Sequence, residues 1–276
     1  MPRQNAGSSI TALTFDERVS WQRQVESDNT SGILTKTKMK LVKRYKIALY
    51  AVVAALALAY GGFQVSRART FQFFGVLVPR VNTQEKAVAL TFDDGPAPAA
   101  TEEVLALLRE ENVKATFFVI GAELERHPGA GRALVAAGHE LGNHSYSHKR
   151  MVLKTPGFIA SEIERTDALI RQTDYQGPIH FRPPYGKRLL LLPYYLAQHQ
   201  RKTILWDVEP DSYPAINQQA DKITEHVLAN AKPGSIILMH VMSDQLASRK
   251  ALRGVVTGLK RAGYAFKTVS ELMALP

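Results

Sequence analysis

Cysteine is absent from all 276 residues. Its absence removes disulfides, thiol nucleophiles and sulfur-ligated zinc together, and leaves an oxidising compartment and the cytosol equally open. A basic excess is missing from most of the chain too. The formal net charge is +10, yet residues 84–276 hold 23 Lys and Arg against 21 Asp and Glu, while residues 1–83 hold 12 against 4. The surplus sits in the first third, so the remainder gives no electrostatic case for a nucleic-acid partner. With 45% apolar and 22% charged residues, wholesale disorder is excluded as well.

What is present begins with one long uncharged run. Residues 47–65 read "IALYAVVAALALAYGGFQV", long enough for a hydrocarbon core of ~30 Å. The preceding "KTKMKLVKRYK" has six basic residues and no acid. A basic flank stays in the cytoplasm, which predicts a single pass through the cytoplasmic membrane with the remainder outside. A cleavable signal peptide is the alternative, since "ALALAY" places small residues at Ala57 and Ala59 and cleavage there would release a secreted or periplasmic protein. Residues 1–46, polar and basic, are expected to be a short cytoplasmic tail. Alternatively they lie upstream of a true start at Met39, where "MKLVKRYKIALYAVV" opens like an export signal. The tetrapeptide "LTFD" occurs at residues 13–16 and again at 90–93. The first copy falls in this tail, runs into "ERVSW" with no Gly-Pro turn, and reads as a chance repeat.

Residues 66–83 read as a linker and 84–276 as the main folded domain. There, "KAVALTF", "KATFFVI", "HELGNH", "IHFRPP", "KTILWDV", "GSIILMH" and "YAFKTV" read as strands. Helical segments such as "TEEVLALLREE" and "FIASEIERTDALIRQT" separate them. Repeated strand–helix units imply a parallel sheet with helices outside. Six or seven units in about 190 residues fall short of the ~250 residues of an eight-fold barrel. The expected fold is α/β: a distorted or incomplete (β/α) barrel of about seven strands, preceded by one transmembrane or signal helix.

In such a barrel, functional groups come from the C-terminal ends of strands. Here those ends read Asp93-Asp94-Gly95-Pro96, "HSYSH", "FRPPYGK", "WDVEPDSY" and "LMH". His144 and His148 are four apart, so a helical turn would put both imidazoles on one face. With one carboxylate they make a three-ligand site with an open position, as a catalytic metal requires. One Asp of the pair would bind metal and the other would act as base, and spacing alone does not choose between them. Arg182 is the cation that would keep the base ionised. Pro183 and Pro184 lack N–H groups, which makes Tyr185 the first backbone donor available to an oxyanion. His240, ending a strand, is placed as general acid. His127, His139, His180, His199 and His226 read as structural or surface residues.

These segments, "TFDDGP", "HSYSH", "RPPYG", "WDVEPDSY" and "LMH", resemble the five motifs of the polysaccharide deacetylase family (carbohydrate esterase family 4, the NodB homology domain), in order and similarly spaced from about Lys86 to the C-terminus. The resemblance implies metal-dependent removal of N-acetyl groups from an aminosugar polymer, peptidoglycan N-acetylglucosamine or a chitin-like chain, with zinc or another divalent ion such as cobalt; the chain is expected to be a monomer. It implies Asp93 as base, and Asp94, His144 and His148 as ligands. Arg182 would hold the base, Tyr185 would be the oxyanion donor and His240 the acid. Leu238 would line the pocket for the acetyl methyl, with Tyr185 and Tyr213 also contacting substrate. The fourth motif departs from the family, which commonly has Asp before an aromatic where this chain has Ser212 before Tyr213. That leaves Asp211, Glu209 and Asp207 as candidate partners of His240. The alternatives of another class are an O-acetyl esterase acting on a surface polysaccharide and a non-catalytic, membrane-tethered glycan-binding domain.

Overall fold

The structure, a computed structural model, describes residues 14–243 and 245–276. Contacts divide the chain into Met1–Gly61 and Gly62–Pro276. The described part of the first unit is helical, the start of α1 (Phe15–Arg67). Thr14 opens that helix: its N–H and Oγ1 donate to Glu17 Oε2 at 2.8 and 2.9 Å, and the Glu17 N–H returns to Thr14 Oγ1 at 3.4 Å. This is a reciprocal capping box. The first "LTFD" therefore leads into a helix start and not into a strand; its Leu13 lies outside the described residues. The sequence between Thr14 and Lys46 contains no proline and one glycine, so the helix meets no strong breaker before the apolar run. Among the described residues α1 is the one helix long and apolar enough to cross a membrane.

The second unit alternates strands and helices. It runs β1 (Leu77–Val78), β2 (Ala87–Asp93), α2 (Pro98–Glu110), β3 (Thr116–Val119), α3 (Gly121–Arg126), α4 (Pro128–Ala136), β4 (Glu140–Asn143) and α5 (Pro156–Arg171). Then follow α6 (Leu191–Gln198), β5 (Thr203–Ile204), α7 (Ala220–Asn230), β6 (Ile236–Met239), α8 (Leu246–Arg261), β7 (Ala265–Lys267) and α9 (Val269–Met273). Pro at the first turn of α2, α4 and α5 suits positions whose N–H has no intrahelical acceptor. Thr155 caps α5, accepting from the Phe158 N–H at 3.3 Å.

All strand pairs are parallel. The main sheet has the order β4-β3-β2-β6, and β7 shares an edge of β2 with β3, pairing residues 87–89 while β3 pairs 91–93. β1 pairs with β5. Single bridges join the rest: Phe181 to Asn143 and Thr203, and Val208 to Ile237. A closed barrel has ladders at these places, so the barrel here is distorted and incomplete. The expected strand "IHFRPP" contributes only the Phe181 bridge, because Pro183 and Pro184 cannot donate to a ladder.

Period-two alternation along β2 sorts its residues into two cores. Val88, Leu90 and Phe92 face the helices, packing with Leu108, Val255 and Leu259. Ala87 and Ala89 face the barrel interior with Phe118, Leu205, Trp206, Ile236 and Leu238. At Gly142 a Cβ would lie 2.4 Å from the Phe118 ring, so glycine lets that interior ring sit against β4.

Residues 66–83, expected to be a linker, are part of the folded unit. Residue 76 and β1 bond to the β5 segment, with Thr203 donating to Val76 O and Leu205 to Val78 O, each at 2.9 Å. Arg188, 1% exposed, donates to the carbonyls of Ala68 and Phe71 and to Gln72 Oε1, at 2.7, 2.9 and 3.0 Å. A sequence reading could not see this, because every partner lies more than a hundred residues away.

Candidate active site

Asp93 ends β2 and follows Ala89 and Thr91 on the interior face. Arg182, in the loop after the Phe181 bridge, meets it there. Arg182 Nη1 donates to Asp93 Oδ1 at 2.7 Å and to Thr91 Oγ1 at 2.8 Å, and Nη2 donates to Leu205 O at 3.1 Å. Arg182 is 0% and Asp93 2% exposed. The guanidinium stacks 4.0 Å over Phe118 and 5.5 Å from Trp206, so aromatic faces replace water around it. Burial alone would push the Asp93 carboxyl up. Arg182, with His144 and His240, reverses that and holds it below its ordinary value.

Asp94 has left the strand, with φ 78°, a left-handed conformation that breaks the alternation. Its carboxylate can therefore join that of Asp93 on one side: His144 Nε2 lies 3.6 Å from Asp93 Oδ2 and 3.8 Å from Asp94 Oδ1. His144 follows β4, and its Nδ1 is 2.8 Å from Arg182 O. A carbonyl only accepts, so Nδ1 carries the proton and Nε2 presents its lone pair to the Asp94 side.

The segment "HSYSH" does not turn helically, contrary to the spacing argument. Residues 144–150 are a loop, with positive φ at Ser145 (64°) and His148 (55°). Side chains from β4 and α5 shape it. Asn143 Oδ1 accepts from Ser145 N–H, and Glu162 accepts from both the N–H and Oγ of Ser147, all at 2.8 Å. The two imidazoles end 4.9 Å apart, with His148 Nε2 3.3 Å from Asp94 Oδ1. Burial and the neighbouring His144 lower the His148 pKa, which favours the neutral form a metal ligand needs.

One ligand atom from each of Asp94, His144 and His148 lies within 4.8 Å of the others. Asp94 Oδ1 is buried without a hydrogen bond. A buried carboxylate oxygen left unpaired beside two imidazole nitrogens fits a divalent cation.

His240 follows β6, and its Nδ1 lies 3.0 Å from Asp211 Oδ1. Asp211 Oδ2 accepts from the His240 N–H at 2.6 Å and from Ser248 Oγ at 2.7 Å. Burial opposes a charged imidazole, but the Asp211 hydrogen bond and charge, aided by Asp93 and Asp94, outweigh it and raise the pKa to about 9. Neither other candidate partner reaches His240. Asp207 accepts from Ser235 Oγ and the Ile236 N–H at 2.8 and 2.9 Å. Glu209 accepts from Trp206 Nε1 and Ser212 Oγ, both at 2.7 Å, and from Arg69 at 2.5 Å.

Tyr185 sits in a tight turn with φ 58°, closed by Gly186 and Lys187 donating to the Pro183 and Pro184 carbonyls. Its half-exposed ring lies 4.8 Å from His148. Leu238 is two residues before His240 on the interior face but has 0% exposure, so it offers no surface to a ligand in this structure. Tyr213 is half exposed and packs against His226, with ring centroids 5.3 Å apart. Of the histidines read as structural, buried His139 accepts from Ala115 N–H at 3.2 Å and its pKa falls to about 4 through burial and nearby Lys114. His180 Nε2 contacts Ser270 Oγ at 3.0 Å.

The sequence reading missed Thr91, Phe118 and Trp206 around Arg182, Asn143 and Glu162 behind the histidine loop, and Ser248 on Asp211. Thr91 alone had a local signal, its place two residues before Asp93 on the same strand face.

Comparison with known proteins matches residues 80–204 to the family model described as polysaccharide deacetylase. A peptidoglycan-N-acetylglucosamine deacetylase of Bacillus cereus is 34% identical over 200 residues, covering 72% of this chain and 93% of that protein. The peptidoglycan-N-acetylmuramic acid deacetylase PdaA of Bacillus subtilis is 34% identical over 197 residues, covering 70% and 73%. Among solved structures, the Bc1960 peptidoglycan N-acetylglucosamine deacetylase in complex with 4-naphthalen-1-yl-N-oxidanyl-benzamide superposes with a TM-score of 0.67 at 31% identity. That match covers 71% of this chain and 92% of that one.

Proposed function

The chain belongs to the polysaccharide deacetylase family, and from that membership we propose that it hydrolyses the N-acetyl group of peptidoglycan amino sugars, releasing acetate and a free amine. The observation that carries this reading is the convergence of a buried Arg182–Asp93 pair, the Asp94–His144–His148 cluster and the Asp211–His240 pair at one end of the sheet.

The family's metal would be held by Asp94, His144 and His148, with zinc or cobalt the best match to those donors. Bound there, it would supply Lewis-acid chemistry toward the acyl carbonyl and the attacking water. Asp93 takes a proton from that water, and Arg182 keeps the carboxylate ionised and aimed. The Tyr185 N–H donates to the oxyanion that develops on the acyl oxygen. His240, kept protonated by Asp211, gives its proton to the departing amine nitrogen. Asp211 thus takes the place that the family pattern gives to the position of Ser212. The exposed rings of Tyr185 and Tyr213 are the aromatic surfaces offered to sugar.

The apolar stretch at residues 47–65 serves in this reading as a signal anchor. It leaves the catalytic unit outside the cytoplasmic membrane, where peptidoglycan lies. The test is acetate release by the purified chain from peptidoglycan and from N-acetylated chitooligosaccharides, with and without chelator. Chelator-sensitive release from peptidoglycan is expected. No release from either substrate by protein that holds zinc would overturn the proposed activity.

A further inference from the structure

The segment directly after α1 is arranged opposite to a water-facing linker. Its Arg69, although exposed, is tied to the barrel, and its phenylalanines are left exposed. Arg69 donates to Glu209 at 2.5 Å and lies 4.9 Å over the Trp206 ring. Residues 68–72 are in turn held by buried Arg188 through two of their carbonyls and the Gln72 side chain. Phe71, Phe73 and Phe74 are left 42–48% exposed.

These rings are part of one contiguous surface. Phe71 and Phe73 pack edge to face at 5.2 Å, and Phe74 meets Tyr194 of α6 at 5.4 Å. One helical turn back, Leu190 and Leu191 are each 46% exposed, and the Tyr194 N–H bonds to Leu190 O. These six large apolar side chains, three of them on a segment tied to the buried Arg188 guanidinium, form a built patch, and exposed patches of this kind mark interaction surfaces.

We propose that this patch is a membrane-docking surface that seats the catalytic unit in the headgroup–acyl boundary of the bilayer entered by residues 47–65. The proposal rests on the anchor reading above. A bilayer is the occupant the chain itself points to. Phe71 lies four residues past the end of α1, at most about 14 Å of extended chain. α1 is the one described helix long and apolar enough to cross a membrane. Aromatic and leucine side chains beside such a helix are the composition of interfacial surfaces. Docking there would fix the Tyr185 turn relative to the membrane, because Arg188 also donates to Gly186 O at 3.0 Å.

The absence of native cysteine permits a direct test. The full chain is reconstituted in vesicles of phosphatidylethanolamine and phosphatidylglycerol that contain lipids with a nitroxide high on the acyl chain. Single thiols are introduced as Phe73→Cys, Leu191→Cys, Ala55→Cys and Lys250→Cys, and each carries an environment-sensitive fluorophore. Lys250 is exposed on α8, which packs against α7. Loss of most fluorescence at 55, 73 and 191 with none at 250 is the expected result. Quenching at 55 alone would overturn the docking surface and leave the anchor standing. No quenching at any position would overturn both. Shielding at 73 and 191 that follows protein concentration and not nitroxide content would assign the patch to a second copy of the chain, which also overturns the proposal.

Discussion

Arg182 Nη1 lies 2.7 Å from Asp93 Oδ1, and neither side chain is more than 2% exposed. The same nitrogen bonds Thr91, so one guanidinium reads two residues of β2 that share a face. A buried pair of this kind destabilises when one partner is removed, because the other is left charged and dry. Arg182→Met should cost about 3–5 kcal/mol. At about 2–4 °C per kcal/mol for a domain of this size, that is a fall in melting temperature of roughly 6–20 °C. Adding Asp93→Asn to that variant should recover part of the loss. Calorimetry that shows no change for the single variant would remove the pair from the list of stabilising contacts.

Asp93→Asn alone should lower acetate release by about 10²–10⁴-fold, the range a positioned base supplies. Metal content by elemental analysis should be unchanged, since Asp94, His144 and His148 are left intact. Activity near that of the parent would show that Asp93 is not the base.

The alkaline limb of the rate profile reports the acid. In the proposed mechanism His240 acts when protonated, so activity should be full below its pKa and fall as pH rises through it. With Asp211 in place that pKa is raised to about 9. A bound cation offsets the pull of Asp93 and Asp94, which sets the limb between ~6.5, the ordinary histidine value, and that figure. Asp211→Asn removes the main raising cause and should move the limb to lower pH. A limb that stays put in this variant would detach Asp211 from the acid.

Chelation should abolish release, and added zinc or cobalt should restore it. In Asp94→Ala, added metal at the same concentration should fail to restore activity, with weaker binding read by competition with a metal indicator. Equal affinity in parent and variant would place the metal elsewhere.

Residues 66–83 should be needed for stability. A chain beginning at residue 62 keeps the acceptors of Arg188, whereas one beginning at 84 leaves that buried guanidinium without Ala68 O, Phe71 O and Gln72 Oε1. Each hydrogen bond to a charged group contributes about 1.5–3 kcal/mol, so the shorter chain should melt well below the longer one. Identical melting curves would show that the strap adds nothing.

The strand–helix alternation, the apolar stretch at 47–65 and the polar strand ends are written in local order, where periodicity and turn chemistry act over a few residues. That is why β2, β3, β4, β6 and β7, with α2 and α5, lie close to where patterning puts them. Side-chain direction beyond a strand end is not local. The paired imidazoles of His144 and His148 come together through a loop pinned by Asn143 and Glu162, not through a helical turn. Leu238 lies under His240 by strand alternation, but its burial depends on Phe118, Leu205 and Trp206 from other strands.

The sequence by itself determined which residues stand at the ends of which strands, and with them the family. The tertiary structure decided how those residues pair: Asp211 and not Asp207 or Glu209 on His240, Thr91 beside Asp93 under one guanidinium, and residues 66–83 folded onto Arg188. The reason is physical. Periodicity acts over a few residues along the chain, whereas a hydrogen bond between groups 29 or 120 positions apart exists only once the barrel has brought them together.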